Sequence, residues 1–158
     1  MYRNQLLAQR LREVFLDGKW IANTNYYEQI SDISWKDAIV KINQLNSIAL
    51  LTFHINYYLE GLIQVLNGGV LEISDRYSFD MPLINTDKEW SDLKDRFLKN
   101  AATFSNKVAE LDDTILDQSF VDEKYGTYLR NIEAVIEHSY YHLGQLVLIK
   151  KMILNASS

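Results

Sequence analysis

Residues 127–154 read TYLRNIEAVIEHSYYHLGQLVLIKKMIL. Apolar side chains recur every three or four positions, which predicts an amphipathic helix that starts after Gly126, with Thr127 as its N-cap, and ends near Leu154. His138 and His142 are four residues apart within it. Both imidazoles therefore share one helix face, at the edge of the apolar arc. A helix of this length, with its apolar side intact, is typical of a helical bundle.

Three more segments show the same periodicity. They cover residues 2–17, residues 34–66 with a slight break near residues 43–46, and residues 86–111. Ser34 with Asp37, and Thr86 with Glu89, have the spacing of helix N-caps. We therefore predict an all-α fold, a four-helix up-down bundle forming one domain over residues 1–158.

Two connections join these segments. Residues 19–33 are predicted to be a linker without a helix of their own. The connection from Gly68 to Asn85, between the second and third helices, is long for a compact domain and contains Tyr77, Phe79 and Pro82. Connections of this length usually carry function or cover another part of the fold.

The composition narrows the function classes. Apolar residues make up 47% of the chain and charged residues 23%, as in an ordinary globular protein. The net charge of -5 comes from interspersed charges without a basic stripe, which argues against nucleic acid. The chain has no cysteine, and it has no apolar run that suits a signal peptide or a membrane span. We expect a soluble cytoplasmic protein with no membrane partner.

His54 is the only other histidine, and it lies on the predicted second helix. It too falls at the edge of an apolar arc, and the small residues Ser47 and Gly61, two turns away on either side, are expected to leave room for a pocket. If the three imidazoles meet, they form a three-nitrogen metal site with open positions. Hydrogen-bonded core histidines fit the same pattern. The spacing alone leaves both interpretations open.

Two other metal chemistries do not fit. The chain has neither the His-Glu-x-x-His motif of zinc proteases nor the Glu-x-x-His motif of di-iron bundles. A set of histidines without a carboxylate suits zinc or nickel best, with iron, cobalt and manganese as alternatives.

Two motifs carry a resemblance to a known family. Residues 47–57, SIALLTFHINY, resemble the second-helix signature of the DinB/YfiT-like superfamily, and residues 136–145, IEHSYYHLGQ, resemble its last-helix signature. The resemblance implies a four-helix bundle, often a homodimer, whose divalent metal would be held by His54, His138 and His142. Some members are metal-dependent transferases of low-molecular-weight thiols, and a related branch isomerises with a thiol cofactor.

Two hypotheses about function follow. In the first, the metal activates a small thiol or a water for transfer or hydrolysis. Gln145, Tyr57 and Tyr58 are then the candidate catalytic or substrate-facing residues, because they flank the histidines. In the second, the chain is a non-catalytic homodimeric binding module with a structural or vestigial metal site. A fourth protein ligand would favour the second hypothesis, and an open position the first.

Overall fold

The computed structural model describes residues 2–156, and this part of the chain is all-helical. Its six α-helices, four of them long, are α1 (Arg3–Phe15), α2 (Tyr26–Ser31), α3 (Trp35–Ala38), α4 (Ile48–Leu66), α5 (Asp87–Glu110) and α6 (Tyr128–Ala156). Short 3₁₀ turns occupy Asp75–Tyr77, Asp113–Asp117 and Glu123–Tyr125. The described residues form no strand, only an isolated antiparallel bridge between Ser119 and Thr127. None of these helices is both long and apolar enough to cross a bilayer.

The four long helices surround one hydrophobic core. α5 packs against α1 and α4, and α6 packs against the same two helices. Phe15, Trp90 and Phe97 are among the largest side chains that the core buries completely. Because α4 and α6 are in contact, the helix that carries His54 lies beside the helix that carries the other two histidines.

Two predicted helix starts are confirmed. Thr86 caps α5: its hydroxyl accepts the backbone N–H of Glu89 at 3.2 Å, and the Glu89 carboxylate accepts the backbone N–H of Asn85 at 2.7 Å. Thr127 accepts the backbone N–H of Arg130 at 3.2 Å at the start of α6. Each cap satisfies an amide that the first helical turn would otherwise leave unpaired.

The predicted segment over residues 34–66, with its slight break near residues 43–46, is two separate helices with residues 39–47 between them. Ser34 does cap a helix, accepting the backbone N–H of Asp37 at 3.1 Å, but this helix ends at Ala38. Asn43 then takes a φ of 52°. Asparagine tolerates this left-handed conformation better than most residues do. A residue with such a φ cannot be part of a right-handed α-helix. Two helices, α3 and α4, therefore replace one.

Ser47 has a different role from the one predicted. It is the N-cap of α4, and its buried hydroxyl accepts the backbone N–H of Leu50 at 3.2 Å. Its hydroxyl therefore stabilises the start of α4.

The prediction that residues 19–33 lack a helix is wrong, because they contain α2. Asn25 caps this helix, and Tyr26 is its fully buried anchor. The Tyr26 ring packs 5.7 Å from that of Phe15 and 5.2 Å from that of Phe97, and its hydroxyl donates to the Ser139 carbonyl at 3.0 Å. This contact ties α6 to the core one residue beyond His138.

Candidate metal centre

The three histidines meet between α4 and α6. The Nε2 atom of His138 lies 3.1 Å from Nε2 of His54 and 2.9 Å from Nε2 of His142. All three ligand atoms lie within 4.8 Å of one another. The predicted meeting of the three histidines is therefore confirmed.

The two separations around His138 suit one metal ion. An ion bonded to imidazole nitrogens at about 2.1 Å can join two nitrogens that lie up to about 4.2 Å apart. The two Nε2 separations from His138, 3.1 and 2.9 Å, are below that limit, and all three ligand atoms lie within 4.8 Å of one another. Within residues 2–156, the cluster of metal-ligating side chains consists of these three histidines, without a carboxylate. Such a donor set fits zinc and the neighbouring transition metals.

His54 is oriented by the connection that follows α4. Its Nδ1 lies 3.1 Å from the backbone carbonyl of Ser78. Because a carbonyl only accepts, Nδ1 carries the proton and the Nε2 lone pair is left for a ligand bond. Phe79 stacks on the imidazole, with ring centroids 3.9 Å apart and planes 8° from parallel. The connection thus sets both the tautomer and the plane of His54.

His142 is oriented within its own helix. Its Nδ1 lies 2.7 Å from Oε1 of Gln145, which leaves Nε2 to face His138. An outer hydrogen bond of this kind fixes a ligating imidazole and strengthens it as a donor. Gln145, a candidate from the sequence, therefore holds a histidine in place.

All three histidines are held in the neutral form. Burial lowers the pKa of His54 to about 4, with a smaller contribution from the neighbouring His142. Burial likewise lowers the pKa of His138 to about 4 and lowers that of His142. Metal binding requires a free imidazole lone pair, so the folded site has no proton to displace near pH 7.

The two candidate tyrosines have different surroundings. The Tyr58 ring lies edge-on to the rings of His54 and His138, at 5.1 and 5.3 Å between centroids. Its hydroxyl donates to Oδ1 of Asp75 at 2.8 Å. The Tyr57 hydroxyl instead binds the backbone of Ser74, donating to its carbonyl and accepting its N–H. Tyr58 borders the histidines, and Tyr57 fastens the connection to α4.

The expected role of Gly61 is corrected by the structure. A Cβ atom at this position would lie 2.4 Å from Cγ2 of Ile73, which real contacts do not allow. The space beside Gly61 is thus occupied by the connection and is not a pocket. Absence of a side chain lets residue 73 approach the α4 backbone, and this keeps the following residues over His54.

A cavity of about 560 Å³ opens beside His138, between α4, α6 and the connection. Its wall is largely apolar, with Ile55, Leu62 and Val135 among the members. Its size lies in the range of small-molecule sites. The cavity gives a molecule from solvent a route to the histidine cluster.

Sequence reasoning did not identify Asp75 or Ser78 as parts of the site. Both lie in the connection, where no periodicity marks them. The available signal was the length of this connection, which indicated that it covers something, and Phe79 within it does cover His54.

Comparison of the chain with family models, curated proteins and solved structures gave no match.

Proposed function

We propose that this chain is a divalent-metal-binding protein of the DinB/YfiT-like superfamily, with an up-down bundle of four long helices. His54, His138 and His142 hold the ion. The observation that carries the proposal is the convergence of three Nε2 atoms, with outer hydrogen bonds on His54 and His142. The order of the histidines along the chain, and the motifs around them, support the family.

The protein acts as an enzyme, a transferase of a small thiol or a hydrolase. Two features support this reading over a structural metal site. No fourth ligand joins the histidine cluster in the described part of the chain, and the cavity reaches His138. Structural zinc sites are usually closed by four protein ligands, whereas catalytic sites keep an open position. When bound, a divalent ion lowers the pKa of a thiol or water and so supplies a nucleophile near neutral pH.

Other groups of the protein orient the imidazoles that would hold the ion. The Ser78 carbonyl and the Phe79 ring fix His54, while Gln145 fixes His142. Tyr58 lies between the histidines and Asp75, at the wall of the cavity. An apolar wall excludes water from the substrate body and strengthens electrostatic interactions at the reacting end.

Zinc and nickel are the metals that we expect first, followed by iron, cobalt and manganese. Neutral imidazoles without carboxylates favour the borderline transition metals over magnesium and calcium. The interspersed charges and the absence of cysteine support a cytoplasmic protein that does not bind nucleic acid.

A second candidate function is a non-catalytic homodimeric module. The observation in its favour is a surface groove lined by residues of α1 and α6, beside which Trp20 and Ile21 are 77% and 78% exposed. Large exposed apolar side chains of this kind mark association surfaces. Light scattering on the parent and on a Trp20→Ser, Ile21→Ser variant tests it: we expect a dimer for the parent and a monomer for the variant.

The metal site is tested by elemental mass spectrometry on untagged protein. We expect about one equivalent of zinc or nickel in the parent and none in His54→Ala. Glu137→Ala is the matched control, because it removes an exposed side chain beside His138 outside the histidine cluster. Equal metal content in the parent and in His54→Ala would rule the site out.

A further inference from the structure

We propose that the cavity beside His138 binds a small molecule with a largely apolar body and an ammonium group that pairs with Asp75. This inference rests on the proposed function, since it names the substrate class of the same site. It is carried by the size and largely apolar wall of the cavity and by the single carboxylate that lines it.

The charge of the lining is one-sided. Asp75 is the only Asp, Glu, Lys or Arg among the residues that line the cavity. One of its oxygens, Oδ1, accepts the Tyr58 hydroxyl at 2.8 Å, which holds the carboxylate at the wall. Away from the ion proposed at His138, a phosphate or carboxylate ligand would find no cationic side chain, and it would face the Asp75 charge. A cation or hydrogen-bond donor would find an acceptor in place.

One residue of the cavity lining has a buried hydroxyl without a partner in the described part of the chain. Ser139 is 1% exposed, it lines the cavity, and its hydroxyl has no hydrogen-bond partner among the described residues. Buried hydroxyls are rarely left unpaired, because the lost hydration costs about 1–3 kcal/mol. The Ser139 carbonyl accepts the Tyr26 hydroxyl, and the Ser139 hydroxyl has less than 1 Å² of accessible surface, so Asp75 and not Ser139 is the polar contact for the ligand.

The test compares two probes that share an apolar body: 4-phenylbutylamine, which is cationic at pH 7, and 4-phenylbutan-1-ol, which is neutral. Isothermal titration calorimetry is run on the zinc-loaded protein and on the protein as purified. We expect the amine to bind about two- to fivefold more tightly than the alcohol, the size of an ion pair at a partly open site. In Asp75→Asn, which keeps an acceptor for Tyr58, the two probes should bind equally.

Two variants that replace an alanine by tryptophan check where the probes bind. Ala134 lines the cavity, so Ala134→Trp should fill it and weaken both probes by at least about tenfold. Ala102→Trp on α5 is the matched control outside the cavity, and it should bind both probes like the parent. Circular dichroism confirms that each variant keeps its helices.

Four results would overturn the inference. They are no binding of either probe at millimolar concentration, equal binding of both to the parent, an amine preference that survives in Asp75→Asn, and unchanged binding to Ala134→Trp. Metal content is measured on the same samples. Absence of metal with the amine preference intact would refute the proposed function and leave the cavity assignment standing, whereas bound metal without that preference would refute this inference alone.

Discussion

His54 and His142 present the same atom to the same point, but their orientation is fixed in different ways. The partner of His142 is Gln145, three residues later on the same helix turn. The partners of His54 are the Ser78 carbonyl, 24 residues along the chain, and the Phe79 ring. One half of the site is thus built by local helix geometry, and the other half depends on how a long connection folds back over α4.

This difference separates two kinds of stability. The α6 half should keep its geometry wherever the helix is formed, because side chains three and four residues apart are neighbours on any α-helix. The α4 half requires the connection to stay docked through Tyr57, Tyr58 and Ile73. A change that loosens the connection therefore disturbs His54 and leaves His142 as it is.

The largest expected effect is loss of a ligand. In both His54→Ala and His142→Ala, zinc affinity should fall by more than the roughly 10–100-fold that loss of an outer hydrogen bond costs. The two variants should differ elsewhere: His54→Ala frees the Ser78 carbonyl and removes the stack on Phe79, so residues 70–84 should exchange amide hydrogens faster. Competition titration and hydrogen exchange measure the two effects. Similar exchange in both variants would contradict the division of the site.

The stability of the metal-free protein should depend on pH. Burial lowers the pKa of His54 and His138 to about 4, from 6.5 in the unfolded chain, and lowers that of His142. The unfolded chain then binds more protons than the folded one, so stability is fully present above pH 6.5 and is lost as the pH falls towards 4.

The free energy of unfolding should fall by roughly 2–4 kcal/mol in total over this pH range. The fall is not larger because His138 borders an open cavity, where solvent screens part of the effect. Urea unfolding in EDTA between pH 7.5 and pH 4.5 measures it. The variant lacking all three imidazoles (His54→Gln, His138→Gln and His142→Gln) should show a flatter profile. An equally steep profile would assign the pH dependence to the carboxylates.

Two glycines test the docking of the connection. A Cβ at Gly61 would lie 2.4 Å from Ile73, whereas a Cβ at Gly144 on α6 meets no atom within 4 Å. Gly61→Ala should therefore lower the free energy of unfolding by about 1–3 kcal/mol and weaken metal binding. Gly144→Ala, the matched control, should raise it by about 0.5–1 kcal/mol through helix propensity. Urea unfolding of both variants measures these changes. An unchanged free energy of unfolding in Gly61→Ala would show that the connection moves away from α4 without cost.

The same division explains what the sequence could predict. The placement of His138 and His142 on one helix face and the caps at Thr86 and Thr127 follow from periodicity and short-range hydrogen bonds, and the structure confirms them. The meeting of these two histidines with His54 is implied by the family resemblance and not by periodicity, and the structure confirms it too. Periodicity describes one helix at a time. It therefore could not show that Ile73 fills the space beside Gly61.

The errors have local physical causes as well. Residues 34–66 remain apolar across the break at Asn43, because residues outside a helix can also pack on the core. The short helix α2 is too brief for its periodicity to stand out, and its anchor Tyr26 contacts residues far along the chain. Both features are decided by tertiary packing, which overrides local propensity.

The smallest expected effect compares the two outer supports directly. Gln145→Leu leaves the Nδ1 proton of His142 without its acceptor and should weaken zinc binding about tenfold. Phe79→Ala removes a ring contact while the Ser78 carbonyl still holds His54, so it should cost only about threefold. Zinc competition titration measures both. If Phe79→Ala proves the more damaging, then the connection is held over His54 mainly by that stack, and the tertiary half of the site is weaker than its hydrogen bonds indicate.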